Sequence, residues 1–76
     1  MSFQAYLDTI RQRTGKSPAD LRAYAAEKGW TEGGKLRPEV KASAVTAGLK
    51  DELGLGHGHA MAVYALLSGK KKEGDA

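Results

Sequence analysis

Glycines divide this chain into four stretches of helical character, and that punctuation restricts the fold more than any other feature of the sequence. In the first stretch Phe3, Tyr6, Leu7 and Ile10 fall at the i, i+3, i+4, i+7 spacing of one helix face. Ser2 stands before them as a candidate N-cap and Gly15 after them as a left-handed stop. The spacing predicts a helix ending near Arg13. Ser17-Pro18-Ala19-Asp20 then restarts the pattern. Ser accepts a bond from a free amide, Pro suits the first helical position, and Asp favours the positive end of the helix dipole. A second helix is expected from Pro18 to Lys28, closed by Gly29, with Trp30 folding back on Ala25 as a structural cap contact.

Thr31 to Arg37 holds Gly33-Gly34 and no periodicity, so it is expected to be the longest and most mobile internal loop. Pro38 is expected to open a third helix reaching Glu52, with Val40, Ala44, Val45, Leu49 and then Leu53 as its apolar set. Gly48 inside it should cost about 1 kcal/mol relative to Ala and marks an expected close helix crossing. After Gly54-Leu55-Gly56-His57-Gly58 a fourth helix is expected from about His59 to Leu67. It is apolar nearly all round and therefore central, with Gly69 as its stop. Residues 1–69 read as a single helical domain and 70–76 as a disordered charged tail.

Seventy-six residues exclude a multidomain enzyme. Of the 31 apolar residues 12 are Ala, which leaves 19 large ones and a thin core. At about 0.05–0.15 kcal/mol per residue, a stability of roughly 4–11 kcal/mol is expected. Without cysteine, neither a disulfide nor thiolate-bound zinc can reinforce the fold. Tyr24-Ala25 and Gly29 match Tyr64-Ala65 and Gly69 at an offset of 40, a faint likeness that suggests two packed helical hairpins. The expected class is thus all-α, a four-helix domain of two such hairpins.

The net charge is +3, but residues 9–50 hold nine Lys/Arg against four Asp/Glu. A mild basic excess of this kind suits a phosphate-bearing partner, and equally a solvated surface. The longest strongly apolar run, Ala60 to Leu67, is too short to cross a bilayer, so no membrane partner is expected. With no signal peptide and no cysteine, a cytoplasmic location is the default expectation.

Three constellations bear on chemistry. Gly15-Lys16-Ser17 ahead of a helix has the ending of a phosphate-binding loop, but the glycine required five residues earlier is Ile10 and no parallel sheet is expected. His57 and His59 are the only imidazoles. One residue apart, they point away from each other on a regular helix, and zinc needs further ligands, so no metal or other cofactor is expected. The packing reading has His57 capping helix 4 and His59 filling the helix junction.

The junction itself is more specific. Gly54-Leu55-Gly56-His57-Gly58-His59-Ala60 has the form G-h-G-x-x-x-A and is similar to the helix-hairpin-helix turn of DNA-binding proteins. In that pattern glycines permit a tight turn, the apolar residue plugs inward, and Ala lets the helices approach. Amides at the start of helix 4 could then receive a phosphate oxygen. Gly58 departs from the pattern, since a basic or polar residue commonly stands there. The candidate nucleic-acid contacts are therefore Gly54, Gly56, His57, Gly58 and His59, with Lys41 and Lys50 as long-range attraction. Gly56 is expected to need a backbone conformation that a β-branched residue resists. The lysines that open the tail are followed at once by Glu73 and Asp75 and read as solubilising.

Ser2-Phe3-Gln4-Ala5-Tyr6-Leu7, Thr14-Gly15-Lys16-Ser17-Pro18, Leu49-Lys50 and the GLGHGHAMA string from Gly54 together resemble the bacterial domain-of-unknown-function family DUF4287. The resemblance covers roughly residues 2–69. It implies a small helical domain, found alone or fused to others, and assigns no activity and no catalytic residue. Gly48 stands where that family commonly carries an aromatic residue, usually Trp. The expected function is a noncatalytic binding or adaptor module contacting nucleic-acid phosphates. The alternatives are a protein-interaction module or homodimer using the apolar surface of helix 4, and a small His-based metal-binding protein.

Overall fold

A computed structural model describes residues 2–71, so the expected charged tail lies outside the described residues from 72 onward. Helix α1 runs over Phe3–Thr14, α2 over Pro18–Glu27, α3 over Ala42–Leu53 and α4 over His57–Ser68. Between α2 and α3 the chain forms an antiparallel hairpin of β1 (Thr31–Glu32) and β2 (Lys35–Leu36). The fold is therefore mostly helical, with one small two-stranded sheet.

The first two helices begin and end as their residues dictate. Ser2 accepts from the Ala5 N–H at 3.2 Å, and Gly15 closes α1 at φ 74° with its N–H on the Arg11 carbonyl. Ser17 and Asp20 form a reciprocal capping box at the start of α2. At its other end Gly29 has φ 79°, its N–H donates to the Ala26 carbonyl, and the Trp30 N–H donates to the Ala25 carbonyl at 3.0 Å. That pair of bonds is a Schellman closure, and it puts Trp30 where the sequence placed it.

The segment expected to be a mobile loop is instead the hairpin. Gly33 and Gly34 both have positive φ, 62° and 81°, the two-residue turn whose twist matches paired strands. Thr31 pairs with Leu36 and Glu32 with Lys35. Pro38 does not open α3. The Val40 N–H donates to the Arg37 carbonyl at 3.0 Å, so Pro38 occupies the second position of a β-turn, which uses the same fixed φ that a first helical turn would. The helix starts four residues later, behind Lys41, with no side-chain cap.

Helix α4 begins at His57, two residues earlier than expected, and ends at Gly69 with φ 83°. It packs most extensively on α3 and also against α1, α2 and β2. Its own Val63 is fully buried, as are Leu7, Ile10, Leu21, Val45 and Leu49 around it. Ala60, wholly buried, lets its neighbours come close to the α4 backbone. Gly48 does sit at a close approach, but to a side chain: a Cβ there would lie 2.8 Å from Cζ2 of Trp30. The indole covers α3 at that point and meets Tyr24 edge to face at 5.7 Å.

Candidate functional site

The α3–α4 junction is three residues long. Gly54 ends α3 in the left-handed region at φ 67°, Leu55 turns inward and is 3% exposed, and Gly56 is the N-cap of α4. Leu55 thus plugs the core as its place between two glycines suggested. Gly56 corrects one expectation: at φ −72° and ψ 169° it is ordinary extended backbone, which any residue adopts. The conformational demand lies at Gly54. Gly33, in the segment expected to be mobile, shares that demand.

His57 does not cap α4. It is the first helical residue, exposed, while Gly56 caps with backbone alone and no side chain bonds the first amides. Gly58 follows, with Tyr6 ring atoms 3.7 Å from where its Cβ would be. His59 packs as expected, edge to face on Tyr6 with ring centroids 5.0 Å apart. Its Nε2 is buried without a hydrogen-bond partner. No acidic side chain lies in the first turn of α4.

Lys50 lies in the last turn of α3, next to the junction, whereas Lys41 is the N-cap at the opposite end of that helix. At 1.5 Å rise per residue the length of α3 separates them from one another by about 13 Å along the axis. The structure therefore brings together Gly54, Gly56, His57, Gly58, His59 and Lys50, and leaves Lys41 apart. Among the described residues no three or more His, Cys, Asp or Glu converge as metal ligands.

Two features near this junction were not read from the sequence. The first is a shallow groove between α1 and α4 bordered by Phe3, Tyr6, His57, Met61, Ala62 and Ala65. Met61, 40% exposed, is the large apolar side chain most open to solvent among the described residues. The second is the contact that ties the end of α3 to α2. Lys28 pairs with Glu52 and holds that carboxyl below its ordinary range, with Tyr24 contributing. Lys28 and Lys16 also stand over the Tyr24 ring, at 5.9 and 5.6 Å from its centroid. The Tyr24 hydroxyl is buried on the side of the Glu52 carboxylate. Burial, with the Glu52 carboxylate nearby, pushes its pKa up to about 12. Neither feature follows from spacing, because each joins side chains from different helices.

These observations define a small four-helix domain with an inserted β-hairpin and an open glycine junction. No curated protein and no solved structure matches it. The family described as Domain of unknown function (DUF4287) matches residues 2–69, and the chain belongs to that family. No helix among the described residues is long and apolar enough to cross a membrane.

Proposed function

We propose that the domain is a noncatalytic binding module whose α3–α4 junction receives a nucleic-acid phosphate in the manner of a helix-hairpin-helix turn. On this reading α3 with α4 forms the helical hairpin, while α1 and α2 each pack on α4. One observation carries the proposal: the fold does not require glycine at 56 or 58. Gly56 has unstrained φ and open space where a Cβ would stand, and at Gly58 a Cβ would meet Tyr6 at ordinary contact distance. Ser or Asp at 56 would cap α4 at least as well. Bare backbone at both positions leaves the amides of His57, Gly58 and His59 accessible, at the end of a helix whose dipole favours an anion. Lys50 adds a charge beside them, and Lys41 acts only at long range.

Gly56→Asp separates this role from a packing role. The new carboxylate would occupy the same amides, so stability should hold or rise by a few tenths of a kcal/mol. Binding of duplex DNA at low salt should nevertheless fall sharply. Lys50→Glu should also weaken it, His59→Ala should bind nearly normally, and affinity should fall with salt at a slope of only a few contacts. If wild-type protein shows no binding at low salt while a basic control protein binds, the reading is wrong.

A second reading rests on Met61. Met61 stands open at the edge of a groove whose other apolar members, Phe3, Tyr6, Ala62 and Ala65, are buried or half-buried. Self-association or a protein partner would bury it. A concentration-dependent molar mass abolished by Met61→Glu would support this reading.

A further inference from the structure

Two pairs of residues four apart face each other across α2 and α3. Tyr24 lies on α2 with Lys28 at its cap, and Gly48 and Glu52 share one face of α3. Lys28 pairs with Glu52 and stands over the Tyr24 ring, while Trp30 covers Gly48 and meets Tyr24 edge to face. Helix α2 itself packs on α4 and β1, so this cluster is a side-chain bridge from the end of α2 to α3. It lies outside the fully buried set. Tyr24 and Trp30 are half-buried, and the side chains of the ion pair are 36% and 37% exposed.

We propose that Lys28 is a positioning residue for the α3–α4 junction: by holding Glu52 on α2, it keeps that carboxylate away from an anion approaching the amides of His57, Gly58 and His59. The proposal rests on the phosphate-receiving reading of that junction. Glu52 stands two residues before Gly54 and four before Gly56, the N-cap of α4. An anion arriving there also meets the carbonyl end of α3, whose final residues include Lys50, Asp51 and Glu52. The α3 dipole and both carboxylates oppose it, and Lys50 offsets only one of those charges. Lys28 supplies the second offset from another helix. An ion pair this open to solvent contributes little to stability, so its main effect is where it places the Glu52 charge.

The test is a double-mutant cycle on binding of fluorescein-labelled duplex DNA at low salt, read by anisotropy. Lys28→Met should weaken binding about fivefold, and Glu52→Gln alone should change it by less than about twofold. The same Glu52→Gln in the Lys28→Met background should restore binding to within about twofold of wild type. A merely structural bridge gives no such rescue, because both single variants break the same pair. A net-charge effect gives an equal gain from Glu52→Gln in both backgrounds. Either result overturns the proposal. Circular dichroism confirms the fold of each variant, and amide shifts at Gly54, Leu55 and Gly56 should match wild type. Shifts that move there, with a binding loss that Glu52→Gln does not restore, assign the effect to the backbone and also overturn it. If wild-type protein does not bind the duplex, the phosphate-receiving reading fails and this proposal falls with it. If wild type binds and the cycle shows no coupling, only the role of Lys28 is refuted.

Discussion

Gly48→Ala is the substitution whose sign most directly tests the packing of α3 against Trp30. In an exposed helix interior Ala is worth about 1 kcal/mol more than Gly, so propensity alone predicts stabilisation. At this position the new methyl would lie 2.8 Å from Cζ2 and 3.0 Å from Cη2 of the indole. Carbon atoms are at their best near 3.5–4.0 Å, so the ring or the helix must move by several tenths of an ångström. The indole is poorly free to move, because Trp30 is tied by its backbone to Ala25 and its ring meets Tyr24 edge to face. Overpacking of this kind costs typically about 1–3 kcal/mol. The balance is a variant that is between about 0 and 2 kcal/mol less stable than wild type. In a Trp30→Leu background the far ring atoms are gone and the same substitution should stabilise by about 1 kcal/mol. The coupling between the two positions is then about 1–3 kcal/mol. Urea unfolding followed by far-ultraviolet circular dichroism measures all four corners of the cycle, since Trp30 is the sole tryptophan and fluorescence is lost in two of them. Equal stabilisation by Gly48→Ala in both backgrounds would refute the contact.

Leu49→Ala, at a wholly buried position, should cost about 2–5 kcal/mol and leave much of so small a domain unfolded in a thermal melt. Gly54→Ser should destabilise by about 1 kcal/mol or more through its left-handed φ, while Gly56→Ser, at an unstrained N-cap position that Ser suits, should be neutral or slightly stabilising; equal losses in urea melts would contradict the assignment of strain to Gly54. Tyr24→Phe removes the hydroxyl that helps Lys28 hold the Glu52 carboxyl low, so Glu52 should titrate nearer the ordinary carboxylate range in the variant when followed by nuclear magnetic resonance, and an unchanged titration would separate the two groups. Acid should weaken the fold in a defined direction. Asp20, held low chiefly by the Ser17 N–H, and Glu52, held low chiefly by Lys28, both take up a proton more readily in the unfolded chain. Their stabilisation is complete above the ordinary carboxylate range and drains away as pH falls below about 4, so Asp20→Asn should flatten the acid limb of a stability–pH curve.

The helices were legible because their signals are local. Ser2, Ser17, Pro18, Gly15, Gly29 and Gly69 act on backbone within a turn of themselves, and each acts in the structure as its chemistry predicts. The hairpin was missed although Gly33-Gly34 is a two-residue turn signal, because two-residue strands give no alternation to read. Pro38 misled for a related reason: its φ serves a β-turn and a helix start equally, and only the hairpin before it decides between them. At the junction, the plug Leu55 and the packing of His59 followed from the pattern, but strain was assigned to the wrong glycine. Either glycine can adopt positive φ, and which one does depends on where α4 begins. That start, at His57, goes with the burial of Ala60 and Val63 in a helix packed on α3 and α1, a tertiary fact.

The position of α4 also limits where the domain can act. Its middle is consumed by packing: Ala60, Ala62, Val63, Leu66 and Leu67 are all buried. What remains for a partner is its amide end at the glycine junction, the strip of His57, Met61 and Ala65 one turn apart on a single face, and its carbonyl end. The two ends differ in kind. The first has amides that no side chain caps and no acidic neighbour in the turn, and at the second the Leu66 and Ala65 carbonyls accept from the Gly69 and Lys71 amides. A central helix that holds a thin core together cannot also offer a broad apolar face, so on the proposed reading any recognition falls to its helix ends and one methionine-centred groove.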